Sequence, residues 1–119
     1  MLRVMDSLEL SLNPAAQRYE AKLEGSVVAF IEYRDDSSAR SLTHTKVNEN
    51  LEGQGIGSQL VKFALGEIKS SGSSLVPMCP FVAAYVQRHR EYAELVAPAH
   101  RALYLEHEKG ATFERRPYG

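Results

Sequence analysis

The polar and apolar positions change period partway along the chain. Residues 17–24, "QRYEAKLE", alternate strictly. Tyr19, Ala21 and Leu23 fall on one side, and Arg18, Glu20, Lys22 and Glu24 on the other. A period of two is the signature of a half-buried strand. "EGS" supplies a tight turn, and "VVAFIEYR" (27–34) follows, rich in β-branched and aromatic residues. The two runs predict an antiparallel hairpin. After "DDSSA" (35–39), "RSLTHTKV" (40–47) predicts a third strand, so the first half of the chain is expected to be a three-strand meander.

From Ile56 the period becomes helical. Leu60, Ala64 and Ile68 recur on one stripe, with Val61, Phe63 and Leu65 beside it. "KSSG" ends the helix, with Lys69 at its negative end and Gly72 as a left-handed cap. "SLVPMC" (74–79) predicts a short buried strand, and Pro80 opens a second helix, "PFVAAYVQRH", which "REYAELV" continues or kinks. Pro98 breaks the pattern. "AHRALYLEHEKGA" (99–111) predicts a last helix with Gly110 past its end, and "TFERRPYG" a loose terminus. Strand, glycine loop, helix and strand make one βαβ crossover. The fold class is therefore α/β of the mixed-sheet kind: an antiparallel meander feeding a parallel pair, with helices packed on it.

At 119 residues the chain is one domain, 1–119, with no internal repeat or low-complexity linker. A net charge of -1 argues against a nucleic-acid partner bound through bulk positive charge. Apolar runs are too short to span a bilayer, and "MLRVMDSLEL" has no cleavable-leader pattern. A single cysteine makes no internal disulfide, which points to a reducing, cytoplasmic setting.

The densest chemical signal is "LEGQGIGSQL" (51–60), with glycines at 53, 55 and 57 just where a helix begins. A helix start leaves about four N–H groups unpaired and carries partial positive charge. Glycines let an anion approach those groups. The alternative is a plain glycine turn. A phosphate loop of the Gly-Lys-Ser/Thr type lacks its lysine here, since Gly57 is followed by Ser58 and Gln59. A dinucleotide fingerprint needs glycine at its sixth position, where Ser58 stands.

The loop, Glu52-Gly53-Gln54-Gly55-Ile56-Gly57, resembles the pyrophosphate loop of the GNAT acetyltransferase superfamily, Gln/Arg-x-x-Gly-x-Gly/Ala, with Glu52 in place of Gln/Arg. "LTHTKV" before it and "VPMCPFVAAYVQRHREYAELV" after it resemble the small Yjdj-type branch. The resemblance covers about residues 17–97 and leaves the segment 98–119 uncovered. It implies a minimal GNAT-like fold in which acetyl-CoA wedges between two splayed parallel strands, 40–48 and 74–79. The pantetheine arm then bonds the backbone near Val47, and the pyrophosphate lies on the amides of Gly53, Gln54, Gly55, Ile56, Gly57 and Ser58. An amine attacks the thioester directly, and a tyrosine on the following helix, for which Tyr85 is the match, protonates the thiolate. The implied partners are acetyl-CoA and an amine: a small amine, a peptide N-terminus or a protein lysine. Full-length relatives set two helices between their first two strands. Only "EGS" fits there in this chain, so the acceptor site is expected to be open. A non-catalytic CoA-binding or protein-interaction module is the alternative.

Two further residues gain a role from the resemblance. His44 sits mid-strand between two threonines, and alone reads as structural. On the strand flanking the thioester, an imidazole with an ordinary pKa of about 6.5 suits proton transfer from an amine. Cys79 precedes Pro80, at a helix start that favours a thiolate. On its own it reads as a small buried hydrophobe; under the resemblance it stands near the acetyl group. His44 and Cys79 are expected to face that group from either side and to titrate as a pair. His89, His100 and His107 show no metal-ligand spacing, and Arg88, Arg90, Arg115 and Arg116 read as solvated charge.

Overall fold

The computed structural model describes residues 7–109. Five strands form one sheet in sequence order. They are β1 (Leu8–Asn13), β2 (Arg18–Leu23), β3 (Ser26–Asp35), β4 (Ala39–Val47) and β5 (Ser74–Pro77). The helices are α1 (Ile56–Ser71), α2 (Pro80–Arg88) and α3 (Pro98–Lys109), with short 3₁₀ turns at Glu49–Leu51 and Arg90–Leu95. β1 to β4 pair antiparallel, and β4 pairs parallel with β5.

The meander therefore has four strands rather than three. The extra strand, "LELSLN", alternates Leu8, Leu10 and Leu12 with Glu9, Ser11 and Asn13, the same period that marks β2. The link between the first two strands is then Pro14–Gln17 rather than "EGS", and it is just as short for helices. "EGS" joins β2 to β3. Leu23 pairs with Ser26 across Glu24 and Gly25, whose φ values of 50° and 83° make the mirror-type turn that two-residue hairpins favour. β5 ends at Pro77, two residues earlier than the apolar run suggests. The helix from Pro80 ends at Arg88, and Arg90–Leu95 is 3₁₀. Pro98 starts α3 rather than merely breaking a helix, as its fixed φ permits at a first helical position. Gly110 and the segment 112–119 lie outside the described residues.

α1 buries Ile56, Leu60, Val61, Ala64, Leu65 and Ile68, and Gly72 caps it at φ 82°. These side chains form one core with Tyr19, Ala21, Ala29, Ile31, Tyr33 and Leu42 of the sheet and Val82, Tyr85 and Val86 of α2. α3 joins through buried Tyr104, whose carbonyl accepts a 2.6 Å hydrogen bond from Arg90. The opposite sheet face is polar. There Glu20 is buried and accepts from Arg18 Nε at 2.7 Å and Asn13 Nδ2 at 3.0 Å, while the Arg18 guanidinium lies 4.5 Å from the Phe30 ring centre.

At the start of β4, Arg40 ties sheet to helix. Its Nε and Nη2 bond both carboxylate oxygens of Asp35, at 2.7 and 2.9 Å. Its Nη1 donates to the Tyr19 hydroxyl at 2.9 Å, and that hydroxyl donates to Glu67 of α1 at 2.6 Å. The guanidinium also lies 3.8 Å from the Tyr33 ring centre.

Candidate functional site

The other end of β4 is built differently. Its parallel pairing with β5 runs only from Ala39–Ser74 to Leu42–Pro77. The Leu42 carbonyl then accepts the N–H groups of both Met78 (3.1 Å) and Cys79 (2.9 Å), and the strands part. Pro80 keeps Cys79 extended (φ -77°, ψ 129°) and turns the chain into α2. β4 continues alone on that side to Val47, held only by β3.

A bulge decides which side chains enter the gap. Glu32 faces His44 while Tyr33 faces Leu42, so Thr43 is the extra residue. Its hydroxyl donates to the Glu32 carbonyl at 3.2 Å. Beyond it the alternation sets Thr45 and Val47 toward the helices, and His44 and Lys46 toward the polar face. Cys79 is buried, with Sγ 3.3 Å from Thr45 Oγ1. His44 is exposed beside Phe30, ring centres 6.2 Å apart. The structure thus brings Cys79 to Thr45, not to His44. The expectation that His44 and Cys79 flank one group from either side is not met, because adjacent residues of a strand point to opposite faces and Thr45, not His44, takes the side of Cys79.

Beyond β4, Gly53 and Gly55 both take φ 85°, the left-handed region where a side chain is strained. Gly55 is the N-cap of α1 and no side chain caps the helix. The first helical bond is Gln59 N–H to the Gly55 carbonyl, 3.1 Å. The N–H groups of Ile56, Gly57 and Ser58 precede it and have no acceptor within the helix. A cavity of about 430 Å³ opens there, lined by Thr45, Val47, Leu51, Glu52, Gly53, Gly55, Ile56, Gly57, Ser58 and Phe81. Its two ends differ: bare amides at the helix start, and Thr45 at the parting of the strands; Cys79 touches Thr45 but does not itself line the cavity. Gln54 does not line it. Its one ionisable side chain is Glu52, so positive potential there comes from the backbone alone.

Tyr85 stands apart from this cavity. It is buried, and its ring stacks on His89 at 4.1 Å, with Tyr92 at 6.1 Å. Burial raises its pKa, so it keeps its proton at neutral pH. Among the described residues no cluster of His, Cys, Asp or Glu is arranged to hold a metal ion, and no helix is long and apolar enough to cross a membrane.

Sequence reading missed Thr45 and Phe81. The THT run was legible, but the bulge that selects Thr45 over His44 leaves no mark in a period-two pattern. Phe81 resembles any apolar residue of a helix start.

Residues 18–95 match the family described as GCN5-related N-acetyl-transferase. No curated protein matches the chain. Among solved structures it is similar to Ard1 from Thermoplasma volcanium, with 24% identity over 50% of this chain and 41% of that one, TM-score 0.45. It is also similar to the ribosomal-protein-alanine N-acetyltransferase from Brucella melitensis biovar Abortus 2308, with 23% identity over 67% of this chain and 60% of that one, TM-score 0.48. The chain spans less than two thirds of either protein's length.

Proposed function

The chain belongs to the GCN5-related N-acetyltransferase family, and from that premise we propose that it moves an acetyl group from acetyl-CoA to an amine by direct attack on the thioester. One observation carries the reading. A single cavity joins three helix-start amides that have no acceptor within the helix to Thr45 at the parting of the strands, which suits a ligand with a pyrophosphate at one end and a thioester at the other. Gly53, Gly55, Ile56, Gly57 and Ser58 form the cradle, and Val47 borders the arm. The segmental pattern around the loop fits the small Yjdj-type branch.

The chemistry follows from the side chains available. The free-base amine forms the N–C bond, the C–S bond breaks, and the proton shed by nitrogen ends on sulfur. Cys79 is the proposed donor to the leaving thiolate, acting through Thr45, whose hydroxyl lies 3.3 Å from its Sγ and lines the cavity that Cys79 itself does not. Tyr85 holds a proton but is stacked on His89 outside the cavity. His44, on the polar face, is sited to accept the proton of an amine that approaches between the parted strands from that side.

A second reading is a CoA-binding module without turnover. The short Pro14–Gln17 link favours it, because nothing in that link can help build an acceptor site. Acetyl transfer to small amines, peptide N-termini and lysine peptides, measured beside calorimetry with acetyl-CoA, separates the two. Turnover on any class supports the enzyme. Binding without turnover selects the module, and absence of binding sinks both. Intact mass after incubation without acceptor should leave Cys79 unmodified; a competent acetyl adduct there would replace direct attack with a covalent route.

A further inference from the structure

We infer, building on the acyl-transfer reading, that Phe81 is the side chain against which the acyl-CoA arm packs, and that position 57 is glycine in order to seat its ring.

Gly57 poses a problem that its neighbours do not. Gly53 and Gly55 take φ 85°, which accounts for glycine at both. Gly57 has no such backbone. It lies in the first turn of α1, where alanine is the better helix former by roughly 1 kcal/mol. Backbone conformation does not call for glycine here, and unlike Gly66 of the same helix the position is hemmed in by a neighbour. A Cβ built there stands 2.8 Å from Phe81 Cζ, closer than real atoms approach, and a tight 3.1 Å from Cε2, so the ring must shift, while the next neighbour, Val47 Cγ2, is at an ordinary 3.5 Å. A side chain at position 57 strikes Phe81 first.

Phe81 is itself unusual. It is 39% exposed, whereas Phe63, also on the helix side, packs against Tyr19. It lines the cavity with Val47, Leu51 and Ile56, an apolar stretch between the amide cradle and Thr45. It is also the second residue of α2, whose N-cap Cys79 is tied to Thr45 across the gap. The ring therefore touches the α1 side of the cavity while its own backbone belongs to the β5 side. A ligand with its anion on residues 56–58 and its acyl group at Thr45 must pass along this ring and cover its exposed surface.

Four proteins test this by calorimetry with acetyl-CoA: wild type, Gly57→Ala, Phe81→Ala and the double variant. Phe81→Ala should weaken binding by roughly tenfold, the loss expected when an aromatic contact of this size is removed. Gly57→Ala should weaken the wild type by a similar factor through displacement of the ring. It should cost less than about twofold in the Phe81→Ala background, where only Val47 remains nearby. In the ligand-free protein, Gly57→Ala should shift the Phe81 ring resonances by NMR, and circular dichroism should be native in all four. Unchanged affinity in Phe81→Ala, or an equal cost of Gly57→Ala in both backgrounds, overturns the inference while leaving acyl-CoA binding intact. Unmoved ring resonances overturn the seat whatever the ligand. A wild type that binds no acetyl-CoA sinks the acyl-transfer reading itself.

Discussion

The two ends of β4 lie on one strand and are built on opposite principles. At Arg40 every polar group is answered: a bidentate carboxylate, a buried phenol, a helix carboxylate and an aromatic face converge on one guanidinium. At Thr45–Val47 the strand has lost its neighbour, and the helix beside it begins with uncapped amides. The first end spends its side chains on holding α1 to the sheet. The second withholds them, through three glycines and a bulge, from the place where a ligand would sit. Fixed at one end, the strand parts from β5 at the other while β3 still holds it.

The largest effect expected from breaking this contrast is on stability. Arg40 is only 18% exposed in its side chain, and truncation leaves the buried Tyr19 hydroxyl short of a donor, while half-exposed Asp35 turns to water. Arg40→Ala should cost about 1–3 kcal/mol of unfolding free energy by urea titration. Affinity for acetyl-CoA below the transition should change less than twofold. A comparable loss of affinity at full folding would mean that the two ends are not independent.

Acid tests the same end. The Arg40 hydrogen bonds hold the Asp35 carboxyl below its ordinary range. A depressed folded pKa contributes stability above the unfolded value of about 3.9, lost as pH falls through the folded one. Glu20, lowered by its Arg18 bond, acts in the same direction from the polar face. The urea midpoint should fall between pH 5 and 2, less steeply in Arg40→Ala because the Asp35 share is gone. Parallel curves would remove Asp35 from the account.

At the open end the effect should appear in rate rather than stability. Thr45→Val keeps the shape and removes the hydroxyl that meets Cys79 Sγ at 3.3 Å. Turnover should fall about tenfold, with KM for acetyl-CoA within twofold and stability within about 1 kcal/mol. A change in KM alone would make Thr45 a binding contact, not a partner in proton delivery.

How much of each end was legible differs for the same physical reason. β2, β3, β4, α1 and its Gly72 cap follow from local periodicity and cap chemistry, and they stand within a residue of where the pattern puts them. β1 was legible too, in the alternation of Leu8, Leu10 and Leu12. The Arg40 cluster was not, since it joins residues 19, 35, 40 and 67 and no local pattern announces it. The glycine loop was readable because its requirement is backbone, written in the residue type. The partners inside the gap were not, because one bulge at Thr43 exchanges the faces of His44 and Thr45.

The smallest effect concerns Glu52, where the chain departs from the loop pattern it resembles. It lines the cavity beside amides that attract anions, and no lysine or arginine lines it to oppose the carboxylate. Glu52 is exposed, so solvent screens its repulsion toward a pyrophosphate. An exposed charge pair is worth about 0–1 kcal/mol. Glu52→Gln should therefore tighten acetyl-CoA binding by only about two- to threefold at low salt. The gain should vanish near 1 M salt, where the screening length is about 3 Å. Salt screens the attraction of the helix start as well as the repulsion of Glu52, so the expected signal is the closing gap between the two proteins rather than a change in wild-type affinity. If Glu52→Gln leaves affinity unchanged at low salt, the pyrophosphate does not lie near this carboxylate. The cradle would then have to be shifted along α1, away from the residue that precedes the first glycine.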